Sequence, residues 1–134
     1  MVLSFFSANS SFFCSSISFF KSSICSWSNP SNSYSSSILN ILSTHTRAAP
    51  ESAYISEESV RLETLDGLFA SDTAKGRNCF LKLDVQGFED RVLAGGKRFL
   101  ERIGGVKIEL SILQLYTEQS LHSELISSLE KYGF

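Results

Sequence analysis

Two carboxylates fall inside apolar runs, where a charge is costly. Asp84 lies near the end of Cys79-Phe80-Leu81-Lys82-Leu83-Asp84-Val85, and Glu109 sits in the alternating run from Val106 to Ile112. In an open α/β sheet, ligands bind outside the carboxyl ends of the strands, which is where Asp84 falls if the first run is a strand. A carboxylate desolvated on an interior parallel strand has its pKa raised toward the range in which it takes a proton from a hydroxyl, and Glu109 fits that description. Gln86, Glu89 and Tyr116 follow the two runs closely and are candidates for contacting a substrate. Each has a plainer role open to it. If the two strands are neighbours, Lys82 and Asp84 share one face, as do Lys107 and Glu109, so cross-strand Lys–carboxylate pairs could satisfy all four charges. Glu89 stands where a helix macrodipole favours an acid, and Tyr116 reads equally as a partly buried loop aromatic.

Other chemistries find little support. Cys14, Cys25 and Cys79 lack the short paired spacings of zinc or redox sites, and their odd number does not make a disulfide framework. His45 and His122 are far apart, with no second ligand at metal-binding spacing, so no metal is expected. A net charge of -2 and an isoelectric point near 5.7 provide no basic field for nucleic acid or an anionic membrane. A small-molecule or carbohydrate partner is compatible with this balance.

The elements that must hold the candidates can be read from periodicity. Cys79 to Val85 has the length and apolarity of a strand, and Gly87 follows where a tight strand-to-helix turn is needed. Val92, Leu93, Gly96, Phe99, Leu100 and Ile103 then recur at three- and four-residue steps, predicting one helix from about Phe88 to Arg102 with its stripe on a sheet. Gly104-Gly105 ends it, and Val106 to Ile112 alternates as a second strand. Strand, helix and strand make a βαβ unit with parallel strands. Ser120 is the predicted cap of a last helix whose Leu121, Leu125 and Leu129 share a face, with Gly133 at C′ and Phe134 opening a further strand.

Upstream, Glu57 to Glu63 reads as a polar edge strand, Thr64 as the cap of a helical turn, and Ser71 to Asn78 as a loop. Ser35-Ser36-Ser37 leads toward Ile38-Leu39-Asn40-Ile41-Leu42 and predicts a serine-capped short helix. Residues 1–31 differ in kind. Serine and phenylalanine dominate them, with Lys21 the only charge before Pro30. Serine interrupts every apolar stretch, so neither a signal peptide nor a membrane span is expected, which points to the cytoplasm. The segment reads as low complexity, without regular structure or arising from pyrimidine-rich DNA read in the wrong frame.

The run Phe80-Leu81-Lys82-Leu83-Asp84-Val85-Gln86-Gly87-Phe88-Glu89, with Val92-Leu93-Ala94-Gly95 and then Ile108-Glu109-Leu110, resembles the FkbM methyltransferase family. Its motif is similar to Lys-Ile-Asp-Val-Glu-Gly with a Glu two residues on. Leu65-Asp66 resembles the family's Leu-Asp-Asp-Leu element, and Ser35 to Leu39 with His45 to Pro50 resembles a loop of some members. The resemblance covers residues 32–134 and implies a Rossmann-like, doubly wound α/β domain that uses S-adenosylmethionine (SAM), its relatives mostly methylating hydroxyls of sugars or natural products. It departs at Gln86, where the family usually has Glu. It departs further in cofactor binding, since nothing in residues 1–79 forms a Gly-rich loop and Gly67 and Gly76 stand alone. The expectation is therefore a partial domain, without the N-terminal cofactor-binding strands and the last strands. The alternative is a non-catalytic remnant that binds no SAM. Another doubly wound enzyme, such as a nucleotide-dependent oxidoreductase, shares the βαβ unit without accounting for Asp84 to Glu89.

Overall fold

The structure, a computed structural model, describes residues 3–7, 14–17, 23–27, 36–54, 56–70 and 79–134. The predicted loop at 71–78 and the intervening parts of the Ser/Phe-rich segment lie outside the described residues. The chain is of mixed α/β type. Its strands are β1 (Leu3–Ser7), β2 (Cys14–Ile17), β3 (Ser23–Trp27), β4 (Ser36–Ser37), β5 (Ser56–Val60), β6 (Cys79–Leu83) and β7 (Gly105–Ile108). The helices are α1 (Ser43–Ala48), α2 (Leu65–Leu68), α3 (Glu89–Ala94), α4 (Lys97–Leu100) and α5 (His122–Lys131), with a 3-10 turn at Pro50–Ser52.

The βαβ unit is present. β6 and β7 are parallel with Leu83 opposite Ile108, and the rest of their sheet, in the order β2-β1-β6-β7, is antiparallel. β1 covers the second edge of β6, with Ser4 opposite Lys82 and Ser7 opposite Cys79. A second sheet runs β4-β3-β5, which puts β5 on an edge. Leu81, Leu83 and Val85 from the β6 run meet Leu93, Phe99 and Leu100 from the crossover in one core, all nearly inaccessible to solvent. The apolar stripe therefore faces inward, as its spacing requires.

The crossover is two short helices where periodicity predicts one. At Gly96 the backbone approaches Leu65 so closely that a Cβ there would lie 2.7 Å from Leu65 Cδ1. The Gly95 carbonyl accepts from the Asp66 amide at 3.0 Å, and the Asp66 carboxylate accepts from the Phe99 and Arg98 amides at 2.8 and 3.3 Å. An acid from a distant segment thus caps α4 at its start, satisfying donors that a helix N-terminus leaves open. Phe99 stacks on Phe69, ring centroids 4.6 Å apart, on the same side of the break.

Several boundaries move. β7 ends at Ile108 rather than Ile112, so Leu110, Ile112 and Leu113 are exposed loop residues. Leu121, not Ser120, is the cap residue of α5, and Glu124 compensates by accepting from the Leu121 amide at 2.8 Å. The Phe134 amide donates to the Leu129 carbonyl and, with Gly133 at C′, closes α5. No helix forms over the run from Ile38 to Leu42: Ser36–Ser37 is β4, and α1 starts only at Ser43, with Leu42 as its cap residue. Thr64 does cap α2, its Oγ1 accepting from the Gly67 amide at 3.0 Å. Among the described residues no helix is long and apolar enough to cross a membrane.

Candidate functional site

Parallel strands end on the same side of a sheet, so β6 and β7 deliver the residues after Leu83 and Ile108 to one place. Those residues are Asp84 and Glu109. A single amide joins them: Gln86 Nε2 donates to Asp84 Oδ1 and to Glu109 Oε2, each at 3.2 Å. Gln86 Oε1 in turn accepts from the Tyr116 hydroxyl at 3.1 Å. Sequence spacing gave no sign of this bridge, because its partners are brought together only by the crossover.

The charges are not paired as alternation predicts. Lys82 Nζ donates to Asp84 Oδ2 at 2.7 Å along one strand, while across the strands Lys82 stands opposite Lys107. The two carboxylates consequently differ. The hydrogen bond from Lys82 holds the Asp84 carboxyl below its ordinary value, with Gln86 assisting against partial desolvation. Glu109 moves up instead, through partial desolvation of its carboxyl first and the neighbouring Asp84 second, against a weaker pull from Lys82. Glu109 lies just past the end of β7, and the residue as a whole is exposed, not seated on an interior strand.

The turn behind the pair is built from strained backbone and buried polar groups. Gln86 has φ +51 and Gly87 φ +96. A Cβ at Gly87 would lie 3.1 Å from Tyr116 Cδ2 and 3.3 Å from both Gln119 Cγ and Leu39 Cδ1, so conformation and space both demand glycine. Ser37 Oγ donates to the Gln86 carbonyl at 2.7 Å, so a serine of the predicted capping run instead ties down the turn. Tyr116 is fully buried; its ring meets His45 edge-on at 6.0 Å. Gln119 holds the loop before it, accepting from the Leu115 and Tyr116 amides and donating to Ser111 Oγ at 2.8 Å.

Glu89 faces inward. It is 3% exposed, and Oε1 accepts from the Val85 amide at 3.2 Å. Burial pushes its carboxyl up, while amides of Glu89 itself, Val85 and Gly87 pull less strongly downward. A cleft of about 210 Å³ runs along α3 between Leu62, Leu65, Phe88 and Val92, and none of Asp84, Gln86 or Glu109 lines it. No group of three or more His, Cys, Asp or Glu among the described residues could hold a metal ion.

What this arrangement offers is a proton acceptor with raised affinity beside a fixed negative charge, at the carboxyl ends of two parallel strands. A family model described as the methyltransferase FkbM domain matches residues 9–134, beginning inside the Ser/Phe-rich segment. No curated protein and no solved structure matches the chain.

Proposed function

Because the chain belongs to the FkbM methyltransferase domain family, we propose that it serves SAM-dependent O-methylation of a sugar or natural-product hydroxyl, with Asp84 and Glu109 on the acceptor side. The observation that carries this is the amide-bridged carboxylate pair at the ends of β6 and β7. Removing the acceptor proton as the oxygen attacks requires a base within hydrogen-bonding reach, and a base whose pKa is raised toward the working pH is the more effective one. Glu109 takes that role. Asp84, kept ionised by Lys82, disfavours a second negative charge on Glu109 and so favours its protonated form.

SAM would supply the methyl group, and the turn after β6 does not fit it. That turn's amides face the Glu89 carboxylate, and its glycine is packed against Tyr116, Gln119 and Leu39. The donor therefore has no place at this turn, and the described residues are assigned to the acceptor alone. The lack of a Gly-rich loop in residues 1–79 favours a second reading, a non-catalytic remnant that binds no SAM.

Calorimetric titration of the full chain with SAM, followed by incubation with methyl-labelled SAM and a panel of sugars and polyhydroxylated natural products, separates the two. One-site binding and label transfer that falls roughly 100-fold or more in Glu109→Gln support the enzyme. Absence of both binding and transfer sinks it and leaves the remnant.

A further inference from the structure

We propose that Gln86 is the positioning residue of the acceptor site, a single side-chain amide that fixes Asp84 and Glu109 against each other rather than touching substrate. This rests on the reading of those two carboxylates as the acceptor-side pair. A glutamine amide has two N–H donors, and both are accounted for by Asp84 Oδ1 and Glu109 Oε2. Its oxygen accepts a hydrogen bond from the Tyr116 hydroxyl. With both carboxylates ionised the amide is held in this orientation, because reversed it would set Oε1 against two carboxylates at the same distances.

The backbone is held as firmly as the side chain. Gln86 occupies the left-handed region at φ +51, a conformation that persists where surroundings impose it. Two of those surroundings are visible: the Gln86 carbonyl accepts from Ser37 Oγ, and the next residue is clasped between Tyr116, Gln119 and Leu39. Both Ser37 and Tyr116 are buried. Two segments far from it in sequence, around Ser37–Leu39 and Tyr116–Gln119, thus converge on one residue whose free end lies between the carboxylates. Lys82 donates to Asp84 and draws on Glu109 only more weakly through its charge, while the Gln86 amide is the donor that Glu109 shares with Asp84. Removing that donor should therefore be felt chiefly at Glu109.

Carboxyl-carbon NMR titration of the full chain reads each group separately and needs neither SAM nor acceptor. Gln86→Glu, which keeps length and backbone preference but replaces two donors with a third carboxylate, is expected to raise the Glu109 midpoint by about one pH unit or more. Gln86→Met, of similar length with no amide, is expected to raise it by less. Tyr116→Phe, which frees the amide oxygen, should give a smaller rise still. The Asp84 midpoint should move less than that of Glu109 in Gln86→Met, since its lysine remains. The urea unfolding midpoint of each variant, measured alongside, reports a general loss of folding separately. A Glu109 midpoint that stays within about 0.2 pH units of wild type in both Gln86 variants overturns the proposal. Coupling without methyl transfer would count against the enzymatic reading alone, and transfer with unmoved midpoints would count against the role of Gln86 alone.

Discussion

Glu89 and Asp66 do the same job in two places, and they do it with opposite electrostatics. Each is a carboxylate that accepts backbone amides where the chain turns into a helix: Glu89 behind the turn after β6, Asp66 at the break between α3 and α4. At Glu89 burial outweighs the amides and the carboxyl is pushed up. At Asp66 burial opposes too, but hydrogen bonds from Phe99 and Arg98, together with the Arg98 charge, carry it below its ordinary value. A cap near solvent with a cation beside it is comfortable as an anion. One inside the core accepts amides too, but burial makes its charged form costly. The first kind secures a helix; the second secures the turn that aims Gln86.

The comparison can be broken hardest at Gly87. Gly87→Ala meets both an unfavourable φ and three side chains, and should cost roughly 2–4 kcal/mol in urea unfolding. A loss under about 0.5 kcal/mol would mean the turn is not packed as described. Glu89→Ala leaves buried amides without an acceptor and should cost about 1–3 kcal/mol. Asp66→Ala removes a cap of the ordinary kind, at about 1 kcal/mol, and Thr64→Ala removes a more exposed one at the low end of the same range.

Acid sharpens the contrast, because the two residues respond to pH with opposite sign. A folded-state pKa above the ordinary 4.5 means that Glu89 adds stability below that value and loses it as pH rises through the raised pKa. A folded-state pKa below the ordinary 3.8 means that Asp66 adds stability above that value and loses it as pH falls through the lowered pKa. Unfolding free energy measured against pH should therefore flatten above 4.5 in Glu89→Gln and below 3.8 in Asp66→Asn. Identical profiles for the two variants would contradict the assignment.

These two acids also mark what a sequence can and cannot reveal. The β6 run, the inward stripe of the crossover, Thr64 as a cap and Gly133 at C′ were legible because each is a matter of neighbours or of period. The family was legible from Asp84 to Glu89 for the same reason. The split of the crossover was not, since it depends on Asp66 and Leu65 arriving from another segment. Nor was the bridging role of Gln86, which needs Asp84, Glu109 and Tyr116 in one place. Alternation suggested that β7 would run to Ile112, whereas the chain leaves the sheet after Ile108 and Gln119 gathers the loop by its Ser111, Leu115 and Tyr116 contacts. Polar side chains that bond across long sequence separations leave no periodic trace.

The antiparallel seat of β1 on β6 sets an order of events in folding. Leu83 finds Ile108 by closing a short crossover, but Ser4 reaches Lys82 only across most of the chain, an additional closure entropy on the order of 1 kcal/mol before any contact forms. The parallel pair is thus the early partner and β1 the late one, in keeping with the slowing of long-range strand pairing. Until β1 docks, the β6 edge is open to a second chain, and refolding at high protein concentration should lose yield to association at that stage. Pulse-labelled hydrogen exchange would show amides bonded to β7 protected before those bonded to β1; simultaneous protection would exclude this order.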